Sequence, residues 1–89
     1  MREELAALMH EIWGHWMKYL FSQCWHNFGG TGEKDGSVTI PVQSVERWMR
    51  QMRTPYDELS EKEKDSDREQ ADKVLALIGK YVDELDYVP

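Results

Sequence analysis

Cysteine is almost missing from this chain. Its 89 residues include one, Cys24, so no internal disulfide can form. A lone thiol fits a reducing compartment. Long apolar runs are missing too: none approaches the roughly 18 residues that a membrane span needs. The start, Met1-Arg2-Glu3-Glu4, is charged and does not read as a secretory signal. The expected location is therefore the cytoplasm, with no membrane partner. Positive charge is scarce as well. Eleven Lys and Arg stand against 17 Asp and Glu, for a net charge of -6. DNA and RNA are held largely by neutralising phosphates with basic side chains, so neither is an expected partner.

What the chain does have is aromatic surface. Four Trp and four Tyr are a heavy load for 89 residues. Either the core is aromatic, or some rings face a ligand or a second subunit. The length suits one small domain over residues 1–89, and a chain this short has a marginal core of its own.

Periodicity divides the chain into three helices. The first is expected from Arg2 to Cys24, with Leu5, Leu8, Met9, Ile12, Trp13, Trp16, Leu20 and Cys24 at helical spacing. Met17 and Phe21 widen that stripe, and a stripe so wide means contact with more than one neighbour. The second helix is expected from Pro41 to Met52, with Val42, Val45, Trp48, Met49 and Met52 as its apolar face. The third is expected from Ser60 to about Leu85. Asp57 to Lys73 carries eight acids and four bases, and the later part has an apolar face of Ala71, Val74, Leu75, Ile78, Tyr81, Val82 and Leu85.

Between the first two helices, Asn27–Ser37 reads as a Gly-rich loop with a turn at Asp35-Gly36. Ser37-Val38-Thr39-Ile40 has β character but is short, at most an edge strand or an extended lead-in. The loop lacks the Lys-Ser/Thr ending of a phosphate-binding P-loop. Thr54-Pro55 reads as the cap and first residue of a short turn to Leu59. Ser60 with Glu63 has the spacing of a capping box. The expected fold class is all-α: a small three-helix domain with a Gly-rich loop between helices one and two.

Catalytic chemistry finds little support. His10 and His15 are five residues apart, not the four that puts two zinc ligands on one helix face. Cys24 and His26 add no metal-site spacing. Cys24 continues the apolar stripe, as an inert buried thiol does. The many carboxylates belong to a mixed-charge helix face. No enzyme activity, metal or cofactor is expected.

Binding residues are easier to nominate. His10 reads either as a boundary histidine satisfying a backbone group or as a pocket histidine for a ligand. Trp13, Trp16 and Trp48 read as core first and as site second. Trp25 stands where the first helix meets the Gly-rich loop, a position from which a ring can stack on a base. Arg47, Arg50 and Arg53 form the one basic stripe. Either they pair with acids of the third helix, or their forked guanidinium groups take phosphate oxygens. Tyr56 completes the candidate set of Trp25, His10, Trp13, Arg47, Arg50, Arg53 and Tyr56.

Two strings then point to a family. Tyr56-Asp57-Glu58-Leu59-Ser60-Glu61-Lys62-Glu63-Lys64 precedes the last helix, and His10-Glu11-Ile12-Trp13 lies in the first. Both resemble the ryanodine-receptor-type repeat domain, which also occurs as a stand-alone module in bacteria and phages. The middle departs from that pattern: Cys24-Trp25-His26-Asn27-Phe28-Gly29-Gly30 stands where a typical repeat has a Gly-Trp segment, and no His-Pro pair follows. The resemblance implies a phage- or prophage-type protein in the host cell cytoplasm. It would bind and sequester a nucleotide-derived immune signal, of the cyclic dinucleotide or cyclic ADP-ribose type, and so counter host defence. Paired repeats imply a homodimer or larger homo-oligomer. The alternative is a protein–protein interaction module that docks or inhibits a host protein.

Overall fold

The computed structural model describes the backbone of residues 1–86 and the side chains of residues 1–82. Its order is α1 (Arg2–Ser22), β1 (Trp25–Phe28), β2 (Lys34–Thr39), α2 (Val42–Arg53), a 3₁₀ turn at Tyr56–Glu58, and α3 (Glu61–Asp86). The three helices stand near their expected positions. The all-α class does not: a two-stranded antiparallel sheet occupies most of the expected Gly-rich loop.

The hairpin forms because its side chains and glycines satisfy it locally. Trp25 pairs with Thr39 and His26 with Val38, but Phe28 pairs with Lys34, so β2 carries extra residues opposite His26–Phe28. That bulge uses Asp35-Gly36. Gly36 has φ 92°, a left-handed value that suits glycine. Asp35 Oδ1 accepts hydrogen bonds from the Ser37 N–H at 2.8 Å and the Ser37 hydroxyl at 2.6 Å. These bonds lower the pKa of the Asp35 carboxyl from its ordinary 3.8. Asn27 ties the strands together, donating to Ser37 Oγ and accepting from the Thr39 hydroxyl, both at 3.0 Å. The hairpin tip is Gly29–Gly32, where Gly32 N–H bonds Gly29 O at 3.0 Å. Asp35-Gly36 thus lies inside a strand, not at the turn it was expected to make.

Caps explain the helix ends. Ser22 Oγ donates to Tyr19 O at 2.6 Å, and Cys24 Sγ donates to Leu20 O at 3.2 Å, so the end of α1 keeps few orphan carbonyls. Pro41 precedes α2, and its carbonyl accepts from Ser44 and Val45 N–H. Thr54 was expected to open the turn that follows. Instead it closes α2: its N–H bonds Gln51 O at 3.2 Å and its hydroxyl bonds Arg50 O at 2.6 Å. Ser60 does cap α3, its Oγ accepting from Glu63 N–H at 3.2 Å.

The chain divides into two units, Met1–Gly14 with Leu59 onward, and His15–Glu58. In the first, Leu5, Leu8 and Ile12 of α1 and Val74, Leu77 and Tyr81 of α3 are half-buried. Tyr81 donates its hydroxyl proton to Glu4 Oε1, and Lys80 lies 3.9 Å from Glu4 Oε2. Glu61 pairs with Arg68 at 2.8 Å and Lys64 at 3.5 Å, which together pull the Glu61 carboxyl below its usual 4.5. Gln70 is 8% exposed; its oxygen accepts from Lys73 Nζ at 3.1 Å, while its amide nitrogen has no described partner. Leu85 lies outside the described side chains.

In the second unit an aromatic cluster sets the rotation of α2. Tyr19 and Trp48 meet edge to face at 6.3 Å, Arg47 lies 5.7 Å over the Trp48 ring, and Arg47 Nη2 donates to Tyr19 Oη at 3.2 Å. With Trp48 turned inward, Ser44 and Gln51 one turn to either side turn inward with it; Ser44 is 6% exposed. The expected apolar face therefore splits. Only Trp48 is withdrawn, and Val42, Val45, Met49 and Met52 are exposed, Val42 at 63% and Met52 at 72%. Among the described residues, no large hydrophobic side chain is buried outright.

Candidate ligand-binding site

A helix step of three residues turns a side chain back by about 60°. Arg47, Arg50 and Arg53 therefore fan around α2, and they end in different surroundings. Arg47 belongs to the aromatic cluster with Tyr19 and Trp48. Its charge is held by an aromatic face and a phenol oxygen, an arrangement the sequence reading did not anticipate. Arg50 and Arg53 instead border a hollow of about 520 Å³, together with Val45, Glu46, Met49 and Thr54. Among the described residues, the six that line it come from α2 and its C-cap.

The hollow has a consistent chemistry. Val45 and Met49 give it an apolar floor. Arg50 and Arg53 give it two cations in the last turn of the helix, where they also offset the negative end of the helix dipole. An anion there would be held by guanidinium groups, since the backbone at a helix C-terminus presents carbonyls and not N–H groups. Glu46 adds one opposing charge. The volume lies within the range of small-molecule sites, but a site normally surrounds most of its ligand.

The remaining nominated residues are placed elsewhere. Tyr56 is exposed on the 3₁₀ turn of the same unit. Trp25 opens β1 and is 64% exposed, opposite Thr39; it does not line the hollow. His10 and Trp13 lie in the first unit, both exposed, with rings stacked at 5.8 Å and 21°. A stack between residues three apart is the i, i+3 neighbour relation of any helix. It makes a flat aromatic face.

The sequence reading missed Val45, Met49, Glu46 and Thr54 as lining residues. Val45 and Met49 passed for core because their spacing is that of a core, and Thr54 passed for a helix start. The available signal was that Arg50 and Arg53 follow Glu46 and Met49 at helical intervals of four.

Among the described residues, no group of three or more His, Cys, Asp and Glu is placed to hold a metal ion. Among them, too, no helix is long and apolar enough to cross a membrane. No protein-family model, curated protein or solved structure matches this chain.

Proposed function

We propose that this protein is a non-enzymatic binder of a small nucleotide-type ligand, acting as a homo-oligomer. The observation that carries the reading is the α2 hollow, where Arg50 and Arg53 border an apolar floor of Val45 and Met49 in a volume of about 520 Å³. Guanidinium groups match phosphate oxygens, and an apolar floor accepts a base or a sugar face. A small anion needs only such a local patch, even on a chain of net charge -6. Paired repeats in the family the chain resembles support a homo-oligomer. The resemblance of the His10–Trp13 and Tyr56–Lys64 strings to ryanodine-receptor-type repeats supports a cyclic dinucleotide or cyclic ADP-ribose type of signal. Sequestering it in the cytoplasm of an infected cell would then blunt a defence pathway.

The test is thermal melting against a panel of cyclic nucleotides and cyclic ADP-ribose analogues. A true ligand at 100 times its Kd stabilises by about 2.7 kcal/mol, which a small domain shows as a clear rise in Tm. The expected result is a rise with one panel member, lost in the Arg50→Ala/Arg53→Ala double variant. No rise with any member overturns the reading, and so does a rise that survives the double variant.

A second reading is favoured by the exposed apolar side chains on both units, among them Trp13, Phe21, Trp25, Phe28 and Leu75. Patches of that kind mark protein interaction sites, and on this reading the chain docks or inhibits a host protein. A stoichiometric partner protein in the absence of any small-molecule effect on Tm would favour it.

A further inference from the structure

We infer that the Trp25 face of the hairpin binds a neutral sugar. On it Trp25 stacks a pyranose ring of gluco configuration, and a ladder of Asn27, Thr39, Ser37 and Asp35 takes the ring's hydroxyls. The inference goes beyond the nucleotide reading and uses none of the α2 hollow. Strand residues alternate between faces, and directly paired residues share one. Trp25 and its partner Thr39 therefore lie on one face, and His26 and its partner Val38 on the other. Val38 is half-buried, while Trp25 is 64% exposed. Asn27, two residues on, joins the Trp25 face, and its side chain bonds both Thr39 and Ser37. The Ser37 hydroxyl in turn donates to Asp35 Oδ1. One exposed indole thus stands beside a continuous chain of polar side chains.

The chemistry of that chain selects the ligand. Each member is oriented by its neighbour and keeps hydrogen-bonding capacity to spare. Asn27 gives one amide hydrogen to Ser37 and carries a second. Thr39 gives its hydroxyl hydrogen to Asn27 and keeps its acceptor positions. Asp35 takes both Ser37 bonds on one oxygen, which leaves acceptor capacity on the other. A hydroxyl group donates and accepts at once, so a polyol uses both kinds. Among the described residues of the two strands, the one lysine or arginine is Lys34. It is the partner of Phe28, which alternation sets on the His26 face. The Asp35 carboxyl is held below its ordinary 3.8 by the Ser37 bonds, so it is charged at neutral pH and repels phosphate. This face therefore disfavours a nucleotide. A pyranose with equatorial hydroxyls offers its axial C–H groups as an apolar plate for the indole and its rim hydroxyls to the ladder.

The experiment is a proton–nitrogen NMR titration of the full chain with cellobiose, with N,N′-diacetylchitobiose and, for contrast, with AMP. The expected result is saturable movement of the Trp25 indole and Asn27 side-chain amide resonances with at least one disaccharide, and none there with AMP. Trp25→Ala is expected to raise the disaccharide Kd about tenfold or more, read at the Asn27 amide. Trp25→Tyr is expected to keep most of the affinity. His26→Ala, on the opposite face, is expected to leave the Kd unchanged. The wild-type titration is read residue by residue, so it decides the matter even if Trp25→Ala unfolds the hairpin. Resonances that neither disaccharide moves overturn the proposal, as does an equal response to AMP or a Kd that ignores Trp25→Ala. Movement confined to α2 around Arg50 and Arg53 also overturns it, and leaves the nucleotide reading to its own melting test.

Discussion

Helices α2 and α3 carry similar apolar spacing and use it in opposite ways. In α3, Val74, Leu77 and Tyr81 are half-buried while Leu75, Ile78 and Val82 stay outside, so one wide face is shared between the chain and solvent. In α2 nearly the whole aliphatic stripe is outside, and the withdrawn side carries Ser44, Arg47 and Gln51 around Trp48. The lesson is physical. Apolar periodicity states that a face gains by leaving water. It does not state which body removes it from water. A single large ring can outweigh four smaller side chains in fixing a helix's rotation, because Trp48 brings the most area and finds Tyr19 and Arg47 as partners.

Trp48→Ala attacks that contrast at its root. The variant should lose about 2–3 kcal/mol of stability in urea unfolding, since both the ring contact and the Arg47 seat go with it. If the loss is negligible, the aromatic cluster does not orient α2. Leu77→Ala probes the half-buried side of α3 and should cost about 1–2 kcal/mol at any protein concentration. Gln70→Met sharpens the same point with the opposite sign. It removes a buried amide donor that has no described partner, at the expense of one contact with Lys73, and should stabilise by about 1 kcal/mol in the same measurement.

Smaller effects separate outside from inside. Met52→Ser should change stability by less than about 0.5 kcal/mol in urea unfolding, as surface changes do. The smallest effect is acid dependence at Asp35. Its carboxyl is held below the ordinary 3.8 in the folded chain, by the bonds from Ser37. The stability it contributes is therefore present above pH 3.8 and is lost as pH falls through the lower folded value. Asp35→Ala should flatten that part of an acid titration monitored at the hairpin amides, while leaving the start of α3 with its own acid response from Glu61. Salt should damp the Glu61 response, which comes from the Arg68 and Lys64 cations, and leave that of Asp35, which comes from the neutral donors of Ser37, nearly unchanged.

Much of the architecture was readable beforehand, and the misses have causes. The helices follow from runs of helical spacing, and the Ser60 cap from one Ser-x-x-Glu string. The hairpin escaped because Trp25–Phe28 does not alternate and because Asp35-Gly36, a turn dipeptide in most settings, here makes a bulge inside β2. Thr54 escaped because a hydroxyl before proline can serve the helix behind it as well as a turn ahead. Of the candidate site, Arg50 and Arg53 were legible as a basic stripe. That Arg47 would leave the stripe for an aromatic seat was not, because Tyr19 is 28 residues away in sequence.

Local order in the amino-acid string is sufficient for where the three helices lie to within a residue or two, for the net negative charge and for the absence of an internal disulfide. Each depends on residues within a turn or two of one another, or on simple composition. Which side of α2 meets water, where Gly36 bends the second strand, and which two arginines border a hollow are matters of three-dimensional packing. They depend on partners distant along the chain, and only the fold brings those partners within reach.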